Sequence, residues 1–159
     1  MIRLIKMFII ILTLLTFQIT SYAKAYFASK VEMIKKADII AIVDIINVEN
    51  TETKSEHWTY GQKVTAKVDE ILKGKPSKDI TIYGKEDFIC AQCLFKNGKF
   101  LLFLKYDKNL LVGSNWSFSI RPIKDKSVEW YKKDGKSIFE LEYVPLDNVV
   151  QEIKSKIKE

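Results

Sequence analysis

Ile39-Ile40-Ala41-Ile42-Val43-Asp44-Ile45-Ile46-Asn47-Val48 is the stretch on which the fold turns. Its β-branched side chains are stiff at χ1 and suit a pleated backbone better than a helix. Successive strand side chains point to opposite faces, yet apolar residues here occupy both. A strand of this kind, running from Asp38 to Val48, is covered on its two sides. It therefore belongs to the middle of a core, with protein packed above and below it.

Downstream, Glu49 to Gly61 is polar and predicts a long loop carrying His57, Trp58 and Tyr60. Gln62 to Leu72 then alternates: Val64, Ala66 and Val68 face one way, Lys63, Thr65, Lys67 and Asp69 the other, as in a half-buried strand. Lys73-Gly74-Lys75-Pro76-Ser77 reads as a turn, and Ile80 and Ile82 alternate with Thr81 and Tyr83 in the next strand. Asn97-Gly98 is a hairpin signal ahead of the apolar strand Phe100 to Leu104. Leu110 to Ile123 reads as one strand kinked at Gly113. Asp134-Gly135 predicts a second hairpin between Val128–Tyr131 and Ser137–Val144. Pro145 to Lys158 reads as a helix, with Leu146, Val149, Val150, Ile153 and Ile157 on one stripe and Pro145 in its first turn.

Upstream, Tyr26 to Ala37 predicts a short helix, because Ser29 and Glu32 have capping-box spacing. Before it, Arg3 and Lys6 precede an apolar run from Met7 to Phe17, and Ser21-Tyr22-Ala23 and Ala23-Lys24-Ala25 are small-residue exits. That is the pattern of a cleavable signal peptide over residues 1–23, with cleavage after Ala23 or Ala25. The apolar run is shorter than the roughly 20 residues a bilayer requires. The expectation is an exported chain, periplasmic or extracellular, with no stable membrane span after cleavage. A single domain over 26–159 follows.

Removing Arg3 and Lys6 leaves 24 basic against 20 acidic residues, so the charge of +6 falls to +4. Basic and acidic residues are interleaved as on a solvated surface, and nucleic acid is not expected as a partner. The order is helix, five or more strands, helix, without βαβ alternation. A doubly wound sheet is thereby excluded. The reading is a mainly β chain: a small closed or partly open barrel with a short N-terminal helix and a C-terminal helix.

Three segments carry a family resemblance. They are Ala37-Asp38-Ile39-Ile40-Ala41-Ile42-Val43, then Val64 through Gly74 with its Val-Asp-Glu-Ile-Leu-Lys-Gly exit, then Cys90 and Gly98-Lys99-Phe100-Leu101-Leu102-Phe103-Leu104. Over Ala37 to Ile123 the chain resembles the bacterial relatives of the tissue inhibitors of metalloproteinases, which have a netrin-like OB-fold barrel. The resemblance implies that barrel and an inhibitor-like module whose partner is a protein, a protease among the candidates. The animal inhibitors chelate the protease zinc through an N-terminal cysteine. Here the mature start is Lys24 or Tyr26, with no cysteine nearby, so that function does not carry over.

Two cysteines, Cys90 and Cys93, form Cys-Ala-Gln-Cys. The spacing fits either a local disulfide bracing a loop or a redox pair. Since redox pairs need a cysteine at a helix N-terminus and this one precedes strand-like sequence, the disulfide is the expectation. His57 is the sole histidine, and a zinc site would need about four ligands; no metal and no cofactor are expected. The serines near His57 make no nucleophile motif. Glu86-Asp87 and Asp69-Glu70 are adjacent pairs whose side chains diverge on a strand, and read as solvated. Trp58 and Tyr60, beside His57, are the candidate binding surface, since aromatic anchors dominate interface hot spots; the competing reading is that they fold back as lids. Trp116, Phe118, Trp130 and Tyr131 read as core. Asn115-Trp116-Ser117 matches a glycosylation sequon. The sequence thus predicts a non-enzymatic exported binding module, with a thiol–disulfide protein or a structural envelope component as alternatives.

Overall fold

The computed structural model describes residues 26–88, 91–132 and 137–158. The signal-peptide reading, Cys90 and the Asp134-Gly135 turn lie outside the described residues. Helix α1 (Lys30–Lys36) leads into strands β1 (Ile39–Lys54), β2 (Thr59–Lys73), β3 (Asp79–Glu86), β4 (Gly98–Asp107) and β5 (Leu110–Gly113). A 3-10 turn (Trp116–Ser119) precedes β6 (Ile120–Lys124), β7 (Ser127–Tyr131), β8 (Leu141–Pro145) and helix α2 (Leu146–Lys158).

The mainly β, OB-like reading holds. Strands pair in the order β1-β2-β3-β5-β4-β6-β7-β8, and β1 also pairs with β4. The first five strands therefore form a ring. β1 is antiparallel to β2 along one edge (Val43 opposite Val68) and to β4 along the other (Val43 opposite Phe100). The ring is thinnest between β3 and β5, which are parallel and meet at Tyr83 and Val112.

Both faces of β1 are buried from Ile39 to Val43, as its composition requires, but the cover expected to Val48 ends at Ile45, and Ile46 is exposed. Ile39, Ala41, Val43 and Ile45 point into the ring with Val64, Ala66, Ile82, Leu102 and Leu104. Ile40 and Ile42 point outward, with Leu101 and Phe103, into a second cluster formed by the two helices, Val128 and Trp130. Burying each such aliphatic side chain is worth about 1.5–3 kcal/mol, so one strand contributes to two cores. The helices cover the outer cluster. Ser29 and Glu32 close the expected capping box on α1, and the Lys73 ammonium donates to the orphan carbonyls of Ile34 and Lys35, each at 2.9 Å. The Ser29 backbone N–H, then the Tyr26 and Ser29 hydroxyls, hold the Glu32 carboxyl down to about 2. Lys30 pairs with Glu152 and so ties α1 to α2. Among the described residues no helix is long and apolar enough to cross a membrane.

Several local expectations are corrected. Glu49 to Gly61 is not a long loop: β1 runs to Lys54 and β2 begins at Thr59. The outer half of this hairpin is polar because it projects beyond the core, where no face needs apolar cover. Leu110 to Ile123 is not one strand, because the chain breaks at Gly113 into the 3-10 turn before β6. Asn97-Gly98 does not make a hairpin, since β3 and β4 are separated by β5 in the sheet. Pro145 ends β8 rather than opening the helix.

β6 and β7 are joined by Asp125 (φ 49°) and Lys126 (φ 59°), both left-handed. Left-handed backbone costs an L-residue about 1–2 kcal/mol, and two-residue hairpins of this type favour Asp-Gly. Lys126→Gly is accordingly expected to raise unfolding free energy by about 0.5–1 kcal/mol, measured by urea denaturation. Deeper in, the Arg121 guanidinium is 2% exposed and lies over the Phe118 and Tyr131 rings at 4.9 Å each. Its Nη1 is 3.7 Å from Glu129, while Nε and Nη2 have no partner among the described residues.

Candidate functional site

At one end of the ring is a cleft of about 510 Å³, within the ~300–1,000 Å³ range of small-ligand sites. The N-terminal segment closes one side with Tyr26, Ala28 and Lys36, and four more segments supply the rest. The β1–β2 turn supplies His57 and Trp58; the end of β3 supplies Glu86 and, beyond it, Phe88. The β4–β5 hairpin supplies Lys105 and Asp107, and the chain leaving β5 supplies Ser114, Asn115 and Trp116. The loops joining strands 1–2 and 4–5 are the ones through which OB barrels bind their ligands.

The wall is a cluster of three aromatic rings far apart in sequence. Trp58 meets Phe88 at 5.3 Å and Trp116 at 5.5 Å between centroids, both edge-on, and Phe88 lies 4.9 Å from Trp116. All three are half-buried. Trp116 holds φ at 51°, a conformation costly for a bulky residue. Such strain persists where surrounding structure over-determines it, and it gathers at binding and active sites.

The floor is polar. Glu86 is only 3% exposed, and its Oε2 accepts from the Cys93 backbone N–H at 2.7 Å. Burial pushes its carboxyl above the ordinary range, against the pull of that hydrogen bond and of Lys105. This corrects the solvated reading of Glu86. The segment Ala91–Phe95 crosses β3 here: Cys93 O accepts from Lys85 N at 2.7 Å, and Cys93 Sγ donates to Trp116 O at 2.8 Å. Asn115 is 5% exposed; its Oδ1 accepts from Ala28 N at 3.1 Å, whereas its Nδ2 and Ser114 Oγ have no partner among the described residues. So deep an asparagine is a poor glycosylation acceptor.

A raised carboxyl pKa has a definite sign in stability. The Glu86 contribution is present in full below the unfolded-state value of 4.5 and is lost as pH rises through the higher folded-state value. Glu86→Gln keeps an acceptor for Cys93 N and removes the titration. The stability of the wild type relative to Glu86→Gln is therefore expected to improve as pH falls from neutral toward 4.5. A difference independent of pH in urea titrations would refute this.

The cleft gathers His57, Trp58 and Tyr60, but gives them unequal parts. Trp58 is in the aromatic wall. His57 is exposed on the turn, where its backbone N–H meets Ser55 Oγ at 3.4 Å. Tyr60 belongs to β2 rather than a loop and is 2% exposed; its hydroxyl donates to Asp107 Oδ2 at 2.9 Å. Burial, then the Asp107 carboxylate, pushes the Tyr60 phenol upward, and hydrogen bonds from Ser55 and Tyr60 hold Asp107 below its usual range. Trp116 is not a core strand residue but the third ring of the wall. Phe88, Asp107 and Ser114 were not singled out by sequence reasoning, and Asn115 only as part of a sequon; Gly113 was read as a kink within one strand, whereas the strand ends there. Cys93 is a buried free thiol among the described residues, so the expected disulfide is not present there. Burial and then Glu86 push that thiol well above its ordinary range. No group of three or more His, Cys, Asp or Glu side chains suited to a metal gathers among the described residues.

No family model, curated protein or solved structure matches this chain.

Proposed function

We propose that this chain is an exported, non-enzymatic binding module that engages its partner in the aromatic cleft. One observation carries the reading. Three segments remote in sequence bring Trp58, Phe88 and Trp116 into mutual contact on a concave wall, with Trp116 in a strained backbone state. Partly exposed aromatic clusters of this kind are the usual anchors of recognition. Export is supported by the leader over residues 1–23. An inhibitor-like role toward a protein partner, with proteases among the candidates, is supported by the family resemblance together with the five-strand OB-like ring. Ser55 Oγ is engaged with backbone groups of its own turn, which favours binding over nucleophilic chemistry. The thiol–disulfide alternative is disfavoured because burial moves Cys93 away from the thiolate that exchange requires.

The test is a cross-linking pull-down with the mature domain from its native compartment. Trp58→Ala is expected to reduce capture about tenfold or more, with the near-ultraviolet circular dichroism of the Trp130 core retained. Capture unchanged in both Trp58→Ala and Phe88→Ala would refute the cleft as the recognition site.

A further inference from the structure

We propose that the cleft receives a polyhydroxylated ring, a sugar unit, stacked by its C–H face on the Trp58–Phe88–Trp116 wall. This deepens the previous reading and rests on the cleft being the recognition site. The lining of the cleft and such a ring are complementary group by group.

The charged residues lining the cleft are balanced: Lys36 and Lys105 against Glu86 and Asp107. A site with two charges of each sign does not select an ion of either sign. Lys36 and Lys105 are exposed on the rim, whereas Glu86 is buried. Hydrogen-bonding groups are mixed in the same way. Asn115 Nδ2 is a donor with no partner among the described residues, Ser114 Oγ can donate or accept, and both belong to residues lining the cleft. Glu86 and Asp107 bring carboxylate acceptors to the same space. Leaving a buried donor unpaired is costly, so a ligand hydroxyl that reaches Asn115 Nδ2 offsets that cost on binding. Hydroxyl groups both donate and accept, and several on one small ring can answer the amide, the serine and the carboxylates together. The apolar wall then needs a ligand with a C–H surface as well as hydroxyls. A pyranose ring has both, and a cleft of about 510 Å³ admits one or two such rings.

Binding is read directly, because Trp58 and Trp116 line the cleft while Trp130 lies in the core. The mature chain is titrated with maltose, lactose and N,N′-diacetylchitobiose, with choline chloride as a cationic probe and glutamate as an anionic one, while tryptophan emission is followed. At least one disaccharide is expected to give a saturable change. Its apparent Kd is expected to rise about tenfold in Trp58→Ala and in Asn115→Asp, which keeps the acceptor for Ala28 N and removes the donor. Should Trp58→Ala not fold, Trp58→Leu takes its place. Saturation by choline or glutamate and by no sugar would overturn the proposal while leaving the cleft as a binding site. No saturation by any probe, with capture of the native partner still lost in Trp58→Ala, would have the same meaning. A saccharide response equal in wild type and both variants would place the sugar elsewhere and also overturn it. For a positive disaccharide, competition by the free sugar against the captured partner before and after its deglycosylation separates a protein-linked glycan from an envelope polysaccharide.

Discussion

Trp130→Ala is expected to remove about 3–5 kcal/mol of stability, a fall in melting temperature of roughly 10–15 °C. Trp130 is 1% exposed on β7, between the outward face of the ring and α2. Its indole stacks on Phe103 at 5.9 Å and meets Tyr131 edge-on at 5.3 Å. Its Nε1–H donates to Glu152 Oε2 at 2.8 Å, across to α2. Truncation to alanine removes the transfer energy of a large aromatic and leaves a void that both sheet and helix would have to collapse to fill. Glu152 retains Lys30 as a partner, so the loss comes chiefly from packing. Trp130→Phe separates the contributions: it keeps most of the stacking, gives up the indole hydrogen bond, and is expected to cost about 1–2 kcal/mol. Urea denaturation at constant m-value measures both. A loss under about 1 kcal/mol for the alanine variant would mean that the outer cluster is not a tightly packed core.

Gly84→Ala is expected to be nearly as damaging, for the opposite reason. A Cβ built there would lie 2.5 Å from Cys93 O and 2.5 Å from two carbons of the Phe95 ring. One obstacle is a side chain, but the other is backbone held by Lys85 N, and its neighbouring Cys93 N–H is bound to Glu86. The segment must lift off β3 or the strand must bend, at about 2–4 kcal/mol. Phe95→Ala in the same background is expected to recover only the part of the clash owed to the ring, which a double-mutant cycle isolates. Full recovery would show that the backbone approach is not limiting. Gly113 faces the same segment from the other side, where an added Cβ would collide with Cys93 Sγ.

Those close approaches mark where sequence reasoning stopped short. The two-faced apolar run of β1, the alternation of Val64, Ala66 and Val68, the capping box at Ser29 and the stripe of the last helix all act through neighbours in sequence. They were readable as strand, strand, N-terminus and helix. The polar outer half of the β1–β2 hairpin was misread because strand pairing there needs no burial and leaves no hydrophobic period. Asp125-Lys126 was missed because a lysine carries no turn signal. The candidate site was readable in part. Trp58 and His57 stood out as residue types in a polar stretch, but what Trp58 touches depends on Phe88 and Trp116, and no local pattern links those positions. Glu86 looked like any solvated acid beside an aspartate; its burial is produced by Ala91–Phe95 folding back over β3, a tertiary event.

The double burial of β1 also bears on how the chain reaches its native state. Amphipathic strands choose their register by which face is greasy, and β1 has no such guide between Ile39 and Val43. Its alignment depends on being zipped along both edges at once, with β2 on one side and β4 on the other. The β4 partner of Ile39 is Leu104, so the second zipper does not exist until most of the chain has been synthesised. Until then a β-prone, nearly uncharged segment remains adhesive toward other copies of itself. Productive folding is thus a race between a long loop closure and self-association, and dilution favours the former.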